Sequence, residues 1–238
     1  PYTTLFRSHT VGLALNHFRP ESTLAFCNTK QQCRDLVSVL QAQGIVALEL
    51  HGDLDQRERD QVLVRFAQRS CSVLVATDVA ARGLDIAKLE AVINVDISPE
   101  AEVHVHRSGR TGRAGEQGLV INLASLDEMG RVGRIEQAVG HESRWYPVAD
   151  LVDRGQGQAL RPPMVTLQIL GGRKEKIRRG DVLGALTKEI GLEGSAIGKI
   201  DINDFSTYVA VRADVADQAL RGLNAGKVKG RSVKARRL

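Results

Sequence analysis

His104-Val105-His106-Arg107-Ser108-Gly109-Arg110-Thr111-Gly112-Arg113 sets an arginine at every third position, with a glycine directly ahead of the second and the third. Gly109 and Gly112 let the backbone turn tightly, so the stretch reads as a glycine-hinged loop on which three guanidiniums converge. A guanidinium offers phosphate oxygens a rigid fork of donors and keeps its charge, which suits a polyphosphate. The bland alternative is a solvated, Gly/Arg-rich surface loop. The surrounding sequence decides between the two, and it also decides the fold.

Upstream, strands and helices alternate. Residues 23–27 form a short apolar run, and 30–43 carry helical spacing through Cys33, Leu36, Val37 and Leu40 before Gly44 stops the helix. Residues 46–50 are the next strand. Asp55 followed by Glu58 is a capping box that opens a helix with Val62, Leu63 and Phe66 on its apolar face. Residues 73–76, 92–95 and 119–123 are further buried strands, and 127–139 a closing helix. This alternation predicts an α/β domain, a parallel sheet with helices on both faces. Ligands of such sheets sit beyond the carboxyl ends of the strands, where Asn28, Thr77 and Asp78 fall. Asp78 is equally well explained as a residue that caps the strand end. Cys27 and Cys33 suit core packing, and His51 a satisfied histidine in a turn.

Residues 149–163 change character, with Gly155, Gly157 and Pro162-Pro163. They read as a linker, flexible at the glycines and stiffer at the prolines. Beyond it come a strand at 165–170, a helix at 181–190 capped by Asp181, strands at 197–202 and 207–211, a helix at 215–223 and a strand at 232–236. The order β-α-β-β-α-β is that of a small α+β RNA-recognition-motif (RRM) fold. Its aromatic stacking platform is largely missing: the run Asp204-Phe205-Ser206-Thr207-Tyr208-Val209-Ala210-Val211 keeps only Tyr208 at an expected aromatic position, and the first strand has none.

Positive charge takes its place. Residues 1–150 hold 16 Lys/Arg against 19 Asp/Glu, whereas residues 151–238 hold 17 against 9, so the overall charge of +5 belongs to the C-terminal third. Arg173, Lys174, Lys176, Arg178 and Arg179 precede the first helix of that region, where cations oppose the helix dipole. Lys227, Lys229, Arg231, Lys234, Arg236 and Arg237 fill its end. External phosphate accounts for both clusters better than helix stability does; a solvated charged face is the alternative. Three cysteines without Cys-x-x-Cys spacing fit a reducing compartment, and no apolar run approaches the ~18 residues of a membrane span. A cytoplasmic protein without membrane partners is expected.

Residues 106–113 resemble motif VI of the DEAD-box RNA helicases. Val75-Ala76-Thr77-Asp78-Val79-Ala80-Ala81-Arg82-Gly83-Leu84-Asp85-Ile86 is similar to their motif V, Leu24-Ala25-Phe26-Cys27-Asn28-Thr29 to motif IV, and His51-Gly52-Asp53 with Gln56 and Arg59 to the segment after it. Ser108 departs from the isoleucine usual in the family. The resemblance covers about residues 11–148 and implies a RecA-like helicase C-terminal domain. By that resemblance Arg110 and Arg113 are arginine fingers for the γ-phosphate of ATP, Asp85 bonds the ribose, and Arg107 and His106 complete the catalytic group by coupling the nucleotide site to a partner domain. Asn28, Gly52, Thr77 and, less directly, Arg59 line the RNA backbone path.

The run from Gly171 to Leu186 resembles the RNA-binding domain of the DbpA subfamily. This implies that residues 164–238, with Tyr208 and the basic clusters, bind structured 23S-type ribosomal RNA, a large-subunit hairpin, during assembly of the large ribosomal subunit. No Gly-x-x-x-x-Gly-Lys-[Ser/Thr] and no Asp-Glu-Ala-Asp occurs. Most of the site for ATP with Mg²⁺ is therefore expected in a missing N-terminal RecA-like domain, no metal ligand is expected here, and the fragment is expected to be inactive alone. Residues 1–10 lack periodicity; Pro1–Ser8 look like a translated sequencing adapter, so the segment is taken as an artefact or a disordered terminus. The competing reading is a non-enzymatic RNA-binding module on a RecA-like scaffold. A DNA helicase is disfavoured by motif V.

Overall fold

The computed structural model describes residues 2–82, 89–112 and 118–238. The chain divides into two compact units: residues up to Arg59 with Ser72–Arg161, and Asp60–Cys71 with Pro162–Leu238.

In the first unit, β1 (Thr23–Phe26), β2 (Ala47–Leu50), β3 (Val73–Ala76), β4 (Ala91–Asn94) and β5 (Leu119–Asn122) form one parallel sheet in the order β2-β3-β1-β4-β5. β1, β3 and β4 are buried along their whole length, as strands covered on both faces must be. α2 (Lys30–Ala42) starts at a Thr29/Gln32 capping box and buries Cys33, Leu36, Val37 and Leu40. α3 (Gln56–Ala67), which belongs to this unit only as far as Arg59, opens on the expected reciprocal pair, with the Glu58 amide donating to Asp55 Oδ1 at 2.7 Å and the Asp55 amide to Glu58 Oε2 at 3.0 Å. α4 (Asp78–Ala81) is short, α5 spans Ala101–Ser108, and α6 (Met129–Val139) follows a 3-10 turn.

Three expectations are corrected. Residues 2–10 are neither disordered nor outside the fold: α1 runs Tyr2–Phe18. Arg7 is its anchor, donating to the Val95 carbonyl at 2.9 Å, to Asp96 at 3.0 Å, to Ser125 Oγ at 3.3 Å and to Glu128. Val11, Ala14 and Leu15, at helical spacing, are buried. Residues 149–161 of the expected linker belong to this unit. Leu160 shares the core of Val11 and Leu15, the Arg154 amide donates to the Asn16 carbonyl at 3.3 Å, and Arg19 donates to the Gln158 carbonyl at 2.7 Å. The Gly155 and Gly157 amides are held by Asp153 at 2.8 and 3.0 Å. Finally, the arginine-rich stretch begins as helix: His104 and Arg107, three residues apart on one face of α5, are both buried.

In the second unit, β6 (Met164–Leu170), β7 (Ile197–Ile202), β8 (Ser206–Arg212) and β11 (Lys234–Arg237) form an antiparallel sheet ordered β11-β6-β8-β7. α7 (Arg179–Gly184), continued by a π-helical turn over Ala185–Glu189, and α8 (Ala216–Ala225) lie on the core face, where Leu167, Ile169, Val209 and Val211 meet Val182, Leu186, Ala219 and Leu223. The N-cap of α7 is Arg178 rather than Asp181. Asp181 stands at N3 and accepts from the Arg178 amide at 2.8 Å. A small hairpin, β9 (Lys227–Val228) and β10 (Arg231–Ser232), turns through Lys229 and Gly230, both at positive φ.

Candidate nucleotide and RNA interface

Parallel register brings the strand ends of the first unit level: Leu50 pairs with Ala76, Ala76 with Phe26, and Phe26 with Asn94. Gly52, Thr77, Asp78, Asn28 and Asp96 follow directly and emerge along one edge of the sheet. Arg107 reaches this edge from α5 with only 2% of its surface exposed. Its Nε and Nη2 donate to the two Asp78 carboxylate oxygens at 2.6 and 2.7 Å, and Nη2 donates also to the Asn28 side-chain oxygen at 3.1 Å. Nη1 donates to the Asp96 carbonyl at 2.8 Å and to Asn94 Oδ1 at 3.3 Å. The guanidinium also lies 5.1 Å from the centroid of the Phe26 ring, within cation–π range.

A guanidinium has five N–H groups, and these contacts use all five. Arg107 was expected in a catalytic group with Arg110 and Arg113; in this structure it has no donor left for a phosphate. It is a positioning residue that ties β1, β4 and the β3–α4 turn together. Asp78 is accordingly the partner of Arg107 and not a cap. His104, one turn back on α5, is pushed below the usual imidazole range by burial and by the charge of Arg107.

The other expected residues are placed as follows. Arg110 is half-buried just beyond the end of α5, its amide donating to the Arg107 carbonyl at 3.2 Å, and His106 is exposed on α5. Arg59 donates Nη2 to the Ala80 carbonyl at 2.7 Å, pinning the start of α3 to α4. Gly52 and Asn28 are exposed and Thr77 is half-buried. Asp85 and Arg113 lie outside the described residues. The sequence reading missed Asp96, which accepts from the Asn28 amide at 3.0 Å, from Gln32 at 3.2 Å and from Arg7. It also missed the Asn94–Asn122 side-chain bond of 2.8 Å. The available signal was polar residues in register at the ends of two apolar strands. Cys27 and Cys33 are fully buried; the Cys33 thiol and then burial hold the Cys27 thiol well above its usual range, so it stays neutral.

In the second unit the basic residues Arg173, Lys174, Lys176, Arg178, Arg179, Lys227, Lys229 and Arg231 are all exposed. Lys229 Nζ donates to the Lys176 carbonyl and lies 3.8 Å from Asp181, so the hairpin and the 173–179 loop make one continuous cationic surface. Tyr208, expected among the RNA-binding residues, is corrected: it is 6% exposed, with its hydroxyl accepting from Gln168 Nε2 at 3.3 Å. Its sheet face carries the 60–71 segment of the same unit. Ser70 Oγ and Thr166 Oγ1 share a 2.6 Å bond, and Gln68 donates to the Tyr208 carbonyl at 3.3 Å and to Asp201 at 3.0 Å. Among the described residues no His/Cys/Asp/Glu group could hold a metal ion, and no helix is long and apolar enough to cross a membrane.

Comparison with known proteins agrees with this two-part architecture. The helicase conserved C-terminal domain matches residues 8–115, and the DbpA RNA binding domain matches residues 166–237. The ATP-dependent RNA helicase DbpA of Escherichia coli is 48% identical over 225 residues, covering 94% of this chain and 48% of that protein. Its namesake from Bacillus subtilis is 34% identical over 234 residues, covering 90% and 49%. The chain thus spans about half the length of the curated relatives it matches. Among solved structures, the E. coli DEAD-box protein SrmB bound to regulator of ribonuclease activity A has a TM-score of 0.58 and 26% identity, covering 67% of this chain and 88% of that one. With a RecA-like parallel sheet, an Arg107-centred strand edge and a basic α+β unit in this order, the chain belongs to the DbpA subfamily of DEAD-box proteins, as a helicase C-terminal domain followed by a DbpA RNA-binding domain.

Proposed function

We propose that the chain is the C-terminal part of a cytoplasmic ATP-dependent RNA helicase that acts on structured 23S-type ribosomal RNA, at a large-subunit hairpin, in large ribosomal subunit assembly. The observation that carries the reading is the union of a helicase-type strand edge with a separate, continuous cationic RNA-binding surface. The residues fit a share of an ATP site. Arg110, half-buried at the end of α5, suits a γ-phosphate approached from a partner domain; the roles of Arg113 at that phosphate and of Asp85 at the ribose rest on the sequence motifs alone. Arg107 does not fit that role, since its donors are taken. Mg²⁺ and the rest of the nucleotide site fall to an N-terminal RecA-like domain. Thr77, Gly52, Asn28 and Arg59 line the RNA path along the sheet edge, and the second unit brings the RNA to it.

The test joins this chain to such an N-terminal domain. An arginine finger contributes on the order of 10³ to 10⁵ in rate, so Arg110→Ala abolishes RNA-stimulated ATP hydrolysis and leaves RNA binding intact. The 238-residue chain alone binds RNA and hydrolyses nothing, because its arginines have no phosphate cradle to complete. Retention by Arg110→Ala of more than about a tenth of the parent's rate overturns the assignment.

A further inference from the structure

Tyr208, the one aromatic at an expected platform position, is buried, yet a neighbouring aromatic is not: Phe205, in the turn before β8, is 70% exposed. Main-chain bonds fix its position. The Gly171 amide donates to the Phe205 carbonyl at 3.1 Å, the Arg173 amide to Asn203 at 2.9 Å and the Lys174 amide to Asp204 at 3.0 Å. The turn is thereby bound to the start of the basic 173–179 loop. Gly172 permits the approach, because a Cβ there would lie 2.1 Å from the Asn203 carbonyl oxygen. Across the same end of the sheet, Leu170, itself 54% exposed, is paired with Ser206 on one side and with exposed Lys234 on the other. Exposed Phe205 and Leu170 therefore lie at the same end of the sheet as Arg173 and Lys174 in the loop and Lys234 on β11. Asp204 answers Arg173 only at 3.9 Å, with both side chains more than half exposed.

Resting on the reading of the second unit as an RNA-binding domain, we propose that Phe205 is the stacking platform for an unpaired base of the bound RNA, with Arg173, Lys174 and Lys234 holding its flanking phosphates. Every base has a π-face, so an aromatic ring stacks on it without regard to sequence, while cations hold the backbone on either side. In an A-form duplex the bases are stacked on one another and present no free face. A phenyl ring therefore discriminates loop, bulge or terminal nucleotides from a continuous stem. The site selects a structured RNA with an unpaired nucleotide, which charge alone does not do.

The test uses the full chain and two labelled RNAs, a hairpin with an unpaired loop and a blunt duplex of the same stem, titrated by fluorescence anisotropy. Phe205→Ala weakens hairpin binding about tenfold or more and leaves duplex binding unchanged. Phe205→Tyr keeps hairpin affinity, and Phe205→Leu, which preserves bulk without the ring, loses it. Hairpin affinity of Phe205→Ala equal to that of the unsubstituted chain, or an equal loss on both RNAs, overturns the platform while RNA binding by the unit stands. If the unsubstituted chain binds neither RNA, the RNA-binding reading falls with it.

Discussion

Arg107 grips both carboxylate oxygens of Asp78, at 2.6 and 2.7 Å, from a position where the arginine is 2% exposed. Its truncation removes the donors that Asp78, Asn28, Asn94 and the Asp96 carbonyl accept from here. Arg107→Ala is expected to destabilise the first unit by about 1.5 to 3 kcal/mol, the scale of hydrogen bonds to a charged group when the remaining carboxylate is partly exposed. Arg107→Lys recovers only part, since an ammonium cannot present a planar fork. Urea unfolding curves check both, and a change within about 0.5 kcal/mol, as at a surface site, would remove Arg107 from its positioning role.

The N-terminal helix gives a second prediction. Arg7 contacts residues 88 to 121 positions away, with 15% of its side chain exposed. Arg7→Ala is expected to cost about 1.5 to 3 kcal/mol, the scale of a hydrogen bond to a charged group. The thermal midpoint of the first unit should fall accordingly. An unchanged midpoint would make the terminus an ornament to the fold.

His104 supplies a pH dependence. Its folded-state pKa lies below the ordinary 6.5, through burial first and then the Arg107 charge. Above about pH 6.5 folded and unfolded states are both neutral there, and the full stability is present. As pH falls below that value the unfolded chain takes up the proton first, so stability declines. His104→Gln should flatten this part of the stability profile between about pH 7 and 5, as read by urea midpoints. A slope identical to that of the unsubstituted chain would show that His104 titrates freely.

Lys229 serves both as a charge and as a tether of the hairpin to the Lys176 carbonyl. Lys229→Ala is expected to weaken binding to hairpin and duplex RNA alike and to reduce the slope of log K against log salt by about one phosphate contact's share. Filter binding across a salt series measures it. An unaltered slope would place Lys229 outside the RNA footprint.

Much of the fold was legible because it rests on local periodicity. The strands Val73–Ala76 and Ile197–Ile202 and the Asp55/Glu58 cap lie where residue pattern puts them. What stayed hidden depends on partners far apart in sequence. Gly109 and Gly112 made the arginine stretch read as a loop, whereas His104 and Arg107 follow helical spacing whose meaning appears only when Asp78 and Asn28 stand opposite. Tyr208 looked accessible because nothing in its own run announces that Gln68 and Ser70 bond on its sheet face. α1 lacks apolar periodicity in its first two turns, and one arginine with distant acceptors holds it there.

The turn that carries Phe205 is fastened to the 171–174 loop through peptide groups, and the side chains it displays take little part in that fastening. Gly172 is dictated by the close approach and Gly171 by its positive φ of 141°. Letters at 203–205 can therefore change between related proteins with small consequence for folding, so this corner of the molecule is free to drift and to acquire new RNA preferences while the scaffold beneath it stays the same.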